Sequence, residues 1–421
     1  MSKNSPRTVA RVACAGTLCI LAASVAAQGT VAAVETSPYS LGAGLGAGRD
    51  DNLFRAPAGQ TVSDSYSIAE IFGDIDRSYG RQRLQAHAAW RDHRYRTRRD
   101  LDNLGYTGSV AWEGSTEGDV SWGLSHATNR RLAAYATLQD PAFRAANLET
   151  VDQTQARLQL GLVAQWVANV ALSSRRVDHT ALAFERERVR LNSVGVSGQW
   201  MPSGPLSISL GPRLTRGRIP LTSDGIERNF KRRDLDLGVN WAATGQSVVR
   251  ARISRTEQDY DAPDQGDFKG TTGQLDWAWT LSGRTRLKTV LSRETGSETV
   301  FMMAPGAAQT LRGTGDDRQI STALTLRLDH DLTGKIALGA DLQAMQRKLA
   351  TIRQLAGANL VQIDGHDRST LARFGVRYAA TRSVLLACDV GQERRTSKTV
   401  LSAPYRVNTA ACNAQITLRW S

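Results

Sequence analysis

The sequence predicts an all-β protein: a transmembrane antiparallel outer-membrane β-barrel of about 18 strands, with 16 as the alternative count. Two observations predict it. Apolar and polar residues alternate with period two along segments of about ten residues, and short and long connections alternate between these segments. Outer-membrane barrels combine an even number of tilted strands with short periplasmic turns and long outer loops. The chain has 421 residues and is only 41% hydrophobic, which excludes a protein with many helical membrane spans.

The N-terminus predicts export. Lys3, Arg7 and Arg11 precede an apolar run at 12–25, and small residues ending at Ala27 offer a cleavage site. This is the pattern of a secretory signal peptide, and the run is too short to cross a membrane as a helix. We therefore expect the outer membrane of a Gram-negative bacterium as the location. The chain divides into a signal peptide at 1–27, a short periplasmic segment at 28–40 and the barrel at 41–421.

The alternation is clearest in four segments. Their apolar faces are Val194, Val196 and Trp200; Leu235, Leu237, Val239 and Trp241; Leu275, Trp277, Trp279 and Leu281; and Ile320, Leu324, Leu326 and Leu328. The residues between them are polar or small. A period of two is typical of a β-strand with one apolar and one polar face.

The connections follow a regular order along the chain. Tight turns are predicted near 78–80, 117–118, 168–169, 202–205, 244–246, 282–284, 333–334 and 381–382. Longer loops are predicted at 55–64, 96–104, 132–151, 180–187, 217–230, 260–270, 297–317, 350–366 and 397–406. Short turns lie on the periplasmic side of such barrels, so both chain termini are expected in the periplasm.

Tryptophans cluster beside the predicted short turns. Of the nine, only Trp90 lies well away from a short turn or from the chain end. Aromatic girdles mark the membrane interfaces of barrels, so these residues predict the periplasmic rim. The last strand carries Leu418 and Trp420 on its apolar face, which is similar to the C-terminal signature of outer-membrane proteins. A periplasmic β-sandwich is the alternative, but it does not explain the loop asymmetry.

Cys388 and Cys412 are the only cysteines outside the signal peptide. They lie at equal distances from residue 400, inside the last loop, and so nearly opposite each other on the last two strands. A disulfide is expected because the compartment is oxidising. Two free thiols are the alternative.

The basic residues are mostly arginine, since only seven of the 53 are lysine. A lipid-facing arginine at the midplane costs about 2–4 kcal/mol. Arginines on the polar phase of the strands are therefore expected to line the lumen: Arg157, Arg250, Arg252, Arg327, Arg373, Arg377 and Arg419. Others at the long-loop ends are expected at the outer mouth: Arg94, Arg96, Arg98, Arg131, Arg188, Arg218, Arg232 and Arg394.

Two interpretations of these arginines stay open. A basic mouth and lumen would attract an anionic polymer. Alternatively, the outer arginines bind lipopolysaccharide phosphates, and the lumen arginines pair with carboxylates such as Asp236, Asp329 and Asp341.

Other side chains favour neither a cofactor nor an enzyme. Aspartates crowd the segment from Asp259 to Asp267 without the pattern of a calcium loop, and the six histidines lack metal-ligand spacing. No sequence pattern places a serine and an acid beside His87 or His126. We expect no enzyme, no metal and no cofactor, and in this compartment no nucleic acid as a partner.

Two regions resemble a known family. Residues 46–55 read G-A-G-R-D-D-N-L-F-R, and the similarity continues at 79–85, 90–95 and 104–107. The late pair Cys388 and Cys412 resembles the family's ending. The family is the EpsL-type outer-membrane β-barrel of exosortase-associated exopolysaccharide gene clusters, related to porin-like barrels. The resemblance implies a role in exopolysaccharide biosynthesis or export and carries over no catalytic residues.

The expected function is a channel that guides an anionic exopolysaccharide through a basic lumen. A general porin for small solutes and a non-conducting scaffold for a polysaccharide synthesis complex are the alternatives. Expected partners are outer-membrane lipid and lipopolysaccharide, the exopolysaccharide chain and periplasmic polysaccharide-export proteins. Loops 132–151 and 297–317 are candidates for folding into the lumen, the latter through Phe301, Met302 and Met303.

Overall fold

The computed structural model describes residues 37–133, 135, 145–161, 165–220, 227–261, 267–295, 318–354, 360–399 and 402–420. The predicted signal peptide and loop 297–317 lie outside the described residues. No helix in these ranges is long and apolar enough to cross a membrane.

Within the described residues, eighteen antiparallel strands form one closed sheet. They are β1 Tyr39–Asp50, β2 Asp64–Tyr79, β3 Gln82–Tyr95, β4 Asn103–Ser115, β5 Val120–Leu132, β6 Leu148–Gly161, β7 Trp166–His179, β8 Val189–Ser203, β9 Leu206–Ile219, β10 Arg228–Thr244, β11 Ser247–Tyr260, β12 Phe268–Ser282, β13 Thr285–Thr295, β14 Arg318–Asp331, β15 Ile336–Gln354, β16 Leu360–Ala379, β17 Val384–Ser397 and β18 Tyr405–Trp420. Consecutive strands pair, and β1 also pairs with β18, which closes the barrel. The predicted barrel of about 18 strands is confirmed.

The alternation places apolar side chains on the outside of the barrel. On β10, Leu235 and Leu237 are exposed on the outer face, whereas Asp236 points inward and binds another inward residue. Leu237 lies opposite Leu210 on β9 and Ile253 on β11, which are also exposed. Water-soluble monomers rarely expose so continuous an apolar band. On a closed barrel, it is the lipid-facing surface of an outer-membrane protein.

Aromatic side chains surround the short-turn end of the barrel. The rings of Trp166 and Trp200 stack with their centroids 6.3 Å apart, and Tyr39 stacks on Trp420 at 6.3 Å. Both pairs lie beside the short connections or the chain end. The predicted aromatic girdle is therefore present at the end that faces the periplasm.

Cys388 and Cys412 form the predicted disulfide. They are direct cross-strand partners on β17 and β18, and both lie on the exposed outer phase of their strands. Their neighbours across the ladder are Val376 and Ala47. The bond therefore joins the last two strands on the lipid side.

The turn predicted at 168–169 is wrong. Ala168 and Asn169 lie inside β7, and the connection falls between Gly161 and Trp166. The Asn169 amide donates a hydrogen bond to Gln199 on β8 at 3.1 Å. The asparagine that suggested a turn is instead a polar residue on the lumen side of a strand.

The long loop predicted at 350–366 is also wrong for most of its length. β15 continues to Gln354 and β16 begins at Leu360. Arg347 lies opposite Asp367 in this ladder, and its Nε donates to the carboxylate at 2.8 Å. This buried pair holds the two strands in register at the outer end of the barrel.

Glycines of β1 let aromatic rings of β2 lie flat against it. A Cβ on Gly48 would come within 2.5 Å of the Tyr66 ring, and one on Gly42 within 2.2 Å of the Phe72 ring. Any larger residue would displace these rings from the wall. The glycines before the D-D-N-L-F-R segment therefore have a packing role.

Candidate functional site in the outer half of the lumen

Lumen-facing side chains are more tightly enclosed in the outer half of the barrel than in the periplasmic half. On β17, the inward residues Glu393 and Arg395 are only 5% and 4% exposed, whereas Asp389, nearer the periplasm, is half-buried. On β9, Thr215 is buried and Ser209 is half-buried. Within the described residues, the interior is closely packed near the outer mouth and more open towards the periplasm.

A first group of buried charges lies on the inner wall between β9 and β13. We name it the β9–β13 network; its members are Arg213, Arg232, Arg252, Asp234, Asp236 and Glu294. The side chains of Arg232 and Asp234 are fully enclosed, with Nη2 of Arg232 2.9 Å from Oδ1 of Asp234. Arg252 contacts Glu294 at 2.6 Å, and Arg213 contacts Asp236 at 2.9 Å. Each arginine in the network has a carboxylate partner, as a buried charge requires.

A second group lies on the inner wall from β15 to β18 and continues to the end of β1 and the loop that follows it. We name it the β15–β18 network; its members are Asp50, Arg55, Arg347, Asp367, Glu393, Arg395 and Tyr405. Asp367 contacts both Arg347 and Arg395, the latter at 3.8 Å. The guanidinium of Arg395 lies over the Tyr405 ring at 4.8 Å, and the Tyr405 hydroxyl donates to Glu393.

Loop L1, residues 51–63, enters this second network. Arg55 contacts Asp50 at 2.6 Å and Glu393 of β17 at 3.6 Å. Burial opposes the charge, but the two carboxylates outweigh it and hold the pKa of Arg55 above its ordinary value. L1 is thus tied to the far side of the β1–β18 seam.

The D-D-N-L-F-R segment supplies further ties. The Asn52 amide donates to the Ala56 carbonyl at 2.8 Å and to the Arg406 carbonyl at 3.1 Å. The Asp51 carboxylate accepts from the Asn408 backbone at 2.7 Å and from its side chain at 2.6 Å. The polar residues of the segment therefore bind β17 or β18, or fold the loop on itself.

The apolar residues of the segment belong to a buried cluster built from four outer connections. These are L1, L2 (96–102), L3 (133–147) and L4 (180–188), of which L3 is only partly described. The cluster contains Leu53 and Phe54 of L1, Leu101 of L2, Tyr135 of L3 and Phe184 of L4.

The rings of this cluster bridge from β1 to β7. The centroid of Phe54 lies 4.9 Å from that of Tyr135, which lies 6.3 Å from that of Phe184. Phe184 stacks on His179, the last residue of β7, at 5.3 Å. Burial raises the pKa of Tyr135 to about 12. Because β1 and β7 are separated by five strands, the described residues of this cluster span a large sector of the barrel at its outer end.

The predicted lumen arginines all occupy the inward phase of their strands. Four of them contact carboxylates that also lie on the inner wall. Arg252 contacts Glu294, Arg327 contacts Asp329 at 3.1 Å, Arg373 contacts Asp389 at 3.6 Å, and Arg377 contacts Asp329 at 2.8 Å. Arg419 donates to the Arg382 carbonyl at the periplasmic end. Arg157 and Arg250 share the inward phase of β6 and β11 with Gln155 and Ser254.

The predicted mouth arginines divide between two faces. Arg94, Arg218 and Arg394 lie on the exposed outer phase, and Arg131 and Arg232 on the inner phase. The remaining three lie in the loops: Arg96 and Arg98 in L2, and Arg188 in L4. Arg98 binds Asp100 and lies over the Phe54 ring at 4.8 Å.

Sequence reasoning did not assign Arg55, Arg347 or Arg395 as site residues, although they hold the second network together. A signal for two of them was available. Arg347 shares the inward phase of β15 with Asp341, and Arg395 that of β17 with Asp389. The role of Arg55 depends on contacts across the seam and has no local signature.

His87 lies in the lumen against Asp74, with Nδ1 2.7 Å from the carboxylate, which also accepts from Ser40 at 2.8 Å. No hydroxyl binds its Nε2 in the described structure. The described residues also contain no group of three or more His, Cys, Asp or Glu side chains placed to hold a metal ion.

No protein-family model and no curated protein sequence matches this chain. Among solved structures, OpdO of Pseudomonas aeruginosa is 12% identical, with 91% of this chain and 98% of that chain covered and a TM-score of 0.44. The FrpB iron transporter of Neisseria meningitidis (F5-1 variant) is 9% identical, with 91% and 82% covered and a TM-score of 0.43. The ferric-catecholate import receptor Fiu of E. coli K12 (open form) is 8% identical, with 91% and 82% covered and a TM-score of 0.43. Likenesses this weak do not bear on function.

Proposed function

We propose that this chain is an outer-membrane channel that takes part in exopolysaccharide export and that L1 closes it on the outer side. One observation carries the proposal. The D-D-N-L-F-R segment, which resembles EpsL-type barrels, is the segment that ties L1 to β17, β18 and L3 at the outer mouth through Arg55, Asn52 and Phe54. A family motif at the point where the channel closes is what we expect of a barrel that opens for a particular cargo.

The lining of the periplasmic half suits weak and repeated contacts with a sugar chain. Arg327 and Arg377, which both pair with Asp329, keep guanidinium donors beyond those used by one carboxylate. Such donors can bind hydroxyls or carboxylates of a passing polymer without holding it tightly, as conduction requires. The expected lumen is one of alternating charges rather than a uniformly basic one.

The non-conducting scaffold is the second candidate, because the same closely packed outer half favours a barrel that never opens. A general porin is less well supported, because small solutes need no closure tied by buried ion pairs. The three functions predict different phenotypes for a deletion strain and for a strain with a loosened L1.

Deletion of the gene is expected to abolish surface polysaccharide, and the wild-type chain should restore it. The variant Phe54→Ala/Arg55→Ala loosens L1, and it should sensitise cells to a bulky antibiotic that the outer membrane normally excludes. The matched control is Arg81→Ala/Glu117→Ala, which removes an exposed pair at the periplasmic turns. It should leave sensitivity unchanged.

Normal polysaccharide secretion by the deletion strain would contradict the export role and favour a porin. If the L1 variant assembles correctly but does not sensitise cells, the chain acts as a scaffold. Correct assembly is checked by the shift in gel mobility between heated and unheated protein.

A further inference from the structure

Five cations lie in cross-strand register on the outer face of β7–β10, above the apolar band. Arg176 of β7 lies opposite Arg190 of β8, which lies opposite Arg218 of β9. One step nearer the periplasm, Arg216 of β9 lies opposite Lys231 of β10. All five side chains are exposed. We name this group the basic patch.

The charge of the basic patch is only partly balanced by the protein. Asp178 contacts Arg176, and Glu227 contacts Arg218 at 2.6 Å. In the described part of the chain, no carboxylate forms an ion pair with Arg190, Arg216 or Lys231. Directly opposite residues on neighbouring strands lie about 5 Å apart at Cβ, and like charges in that arrangement repel. An anion from outside the protein would remove the repulsion.

The position of the patch restricts the chemistry of that anion. Just below it, Val194 of β8 lies opposite Leu214 of β9, and both are exposed to the membrane, at 40% and 52%. A ligand that fits both surfaces has acyl chains against the apolar band and an anionic head group at the rim. Arginine forms strong, oriented hydrogen bonds with phosphate oxygens.

We infer that the basic patch binds the phosphorylated sugar head group of an outer-leaflet glycolipid, whose acyl chains lie along Val194 and Leu214. The ligand class is thus a bis-phosphorylated lipid A. This inference does not depend on what passes through the lumen.

The test counts bound lipids on the purified full-length barrel by native mass spectrometry, with bis-phosphorylated lipid A as the probe. In Arg190→Gln/Arg216→Gln, the occupancy of one bound lipid A molecule should fall about tenfold, because charge-assisted contacts are removed. The matched control, Arg94→Gln/Lys269→Gln, removes two outward cations that contact Asp92 and Glu257. Its occupancy should change less than about twofold.

Three outcomes would overturn the inference. The first is unchanged occupancy in the glutamine variant. The second is equal retention of phosphatidylglycerol or of deacylated, phosphorylated glycan by the wild type, because either would assign the patch to a different anion. The third is a loss in Arg190→Lys/Arg216→Lys as large as in the glutamine variant, because the lysine variant keeps the charge.

Discussion

Arg55 is a buried cation whose neighbours determine how L1 sits in the mouth. Its backbone has a φ of 52°, a left-handed conformation that is costly for a residue with a side chain. The contacts with Asp50 and Glu393 compensate this cost. Glu393 is distant in sequence, so no spacing within the D-D-N-L-F-R segment indicates the pair.

Arg55→Ala is expected to lower the free energy of unfolding by about 3–5 kcal/mol, because two buried carboxylates lose their shared partner. Denaturant unfolding of the protein refolded in detergent measures the change. The exposed pair of Arg81 and Glu117 provides the control, and Arg81→Ala should leave the midpoint almost unchanged. Equal midpoints for the two variants would refute the role assigned to Arg55.

The direction of a strand arginine could be predicted from the sequence, but its partner could not. Arg232 lies near the end of a long loop, which suggested the outer mouth, yet it shares the phase of Asp234 and Asp236 and points inward. The face of a strand that a residue occupies depends only on the period-two alternation along that strand. Partners such as Glu294 on β13 depend on the register between strands, which the sequence leaves open.

At the scale of elements, alternation predicts strands well where one face meets lipid and the other meets water. It fails where that contrast weakens. Asn169 was predicted to lie in a turn but lies on the lumen side of β7. At the outer end, β15 continues to Gln354 and β16 begins at Leu360, where a long loop was predicted. Towards that end, outward residues such as Lys348 are polar, so the period-two pattern of apolar residues ends before the strand does.

The disulfide stabilises the closing hairpin at this scale. It encloses a segment with a sequence separation of 24, which corresponds to about 3 kcal/mol by chain entropy. Cys388→Ala/Cys412→Ala should lower the unfolding free energy by that amount, measured by denaturant unfolding, and either single Ala variant should match the double. A double variant as stable as the wild type would contradict this role.

At the scale of the whole molecule, the positive charge is directed outward rather than into the lumen. Inward arginines face carboxylates in the β9–β13 and β15–β18 networks. Some outward arginines lie directly opposite each other, as Arg190 faces Arg218 and Arg394 faces Arg406. The molecule is thus charge-balanced inside and basic at its outer rim, where phosphorylated lipid lies.

The most direct test of the central claim, that L1 closes a channel on its outer side, is single-channel conductance in planar bilayers. The wild-type barrel should stay closed or conduct only in rare, small openings. Phe54→Ala/Arg55→Ala should give long-lived openings of much larger conductance, and Arg81→Ala/Glu117→Ala should behave like the wild type. A wild type as open as the L1 variant, or an L1 variant as closed as the wild type, would contradict the account.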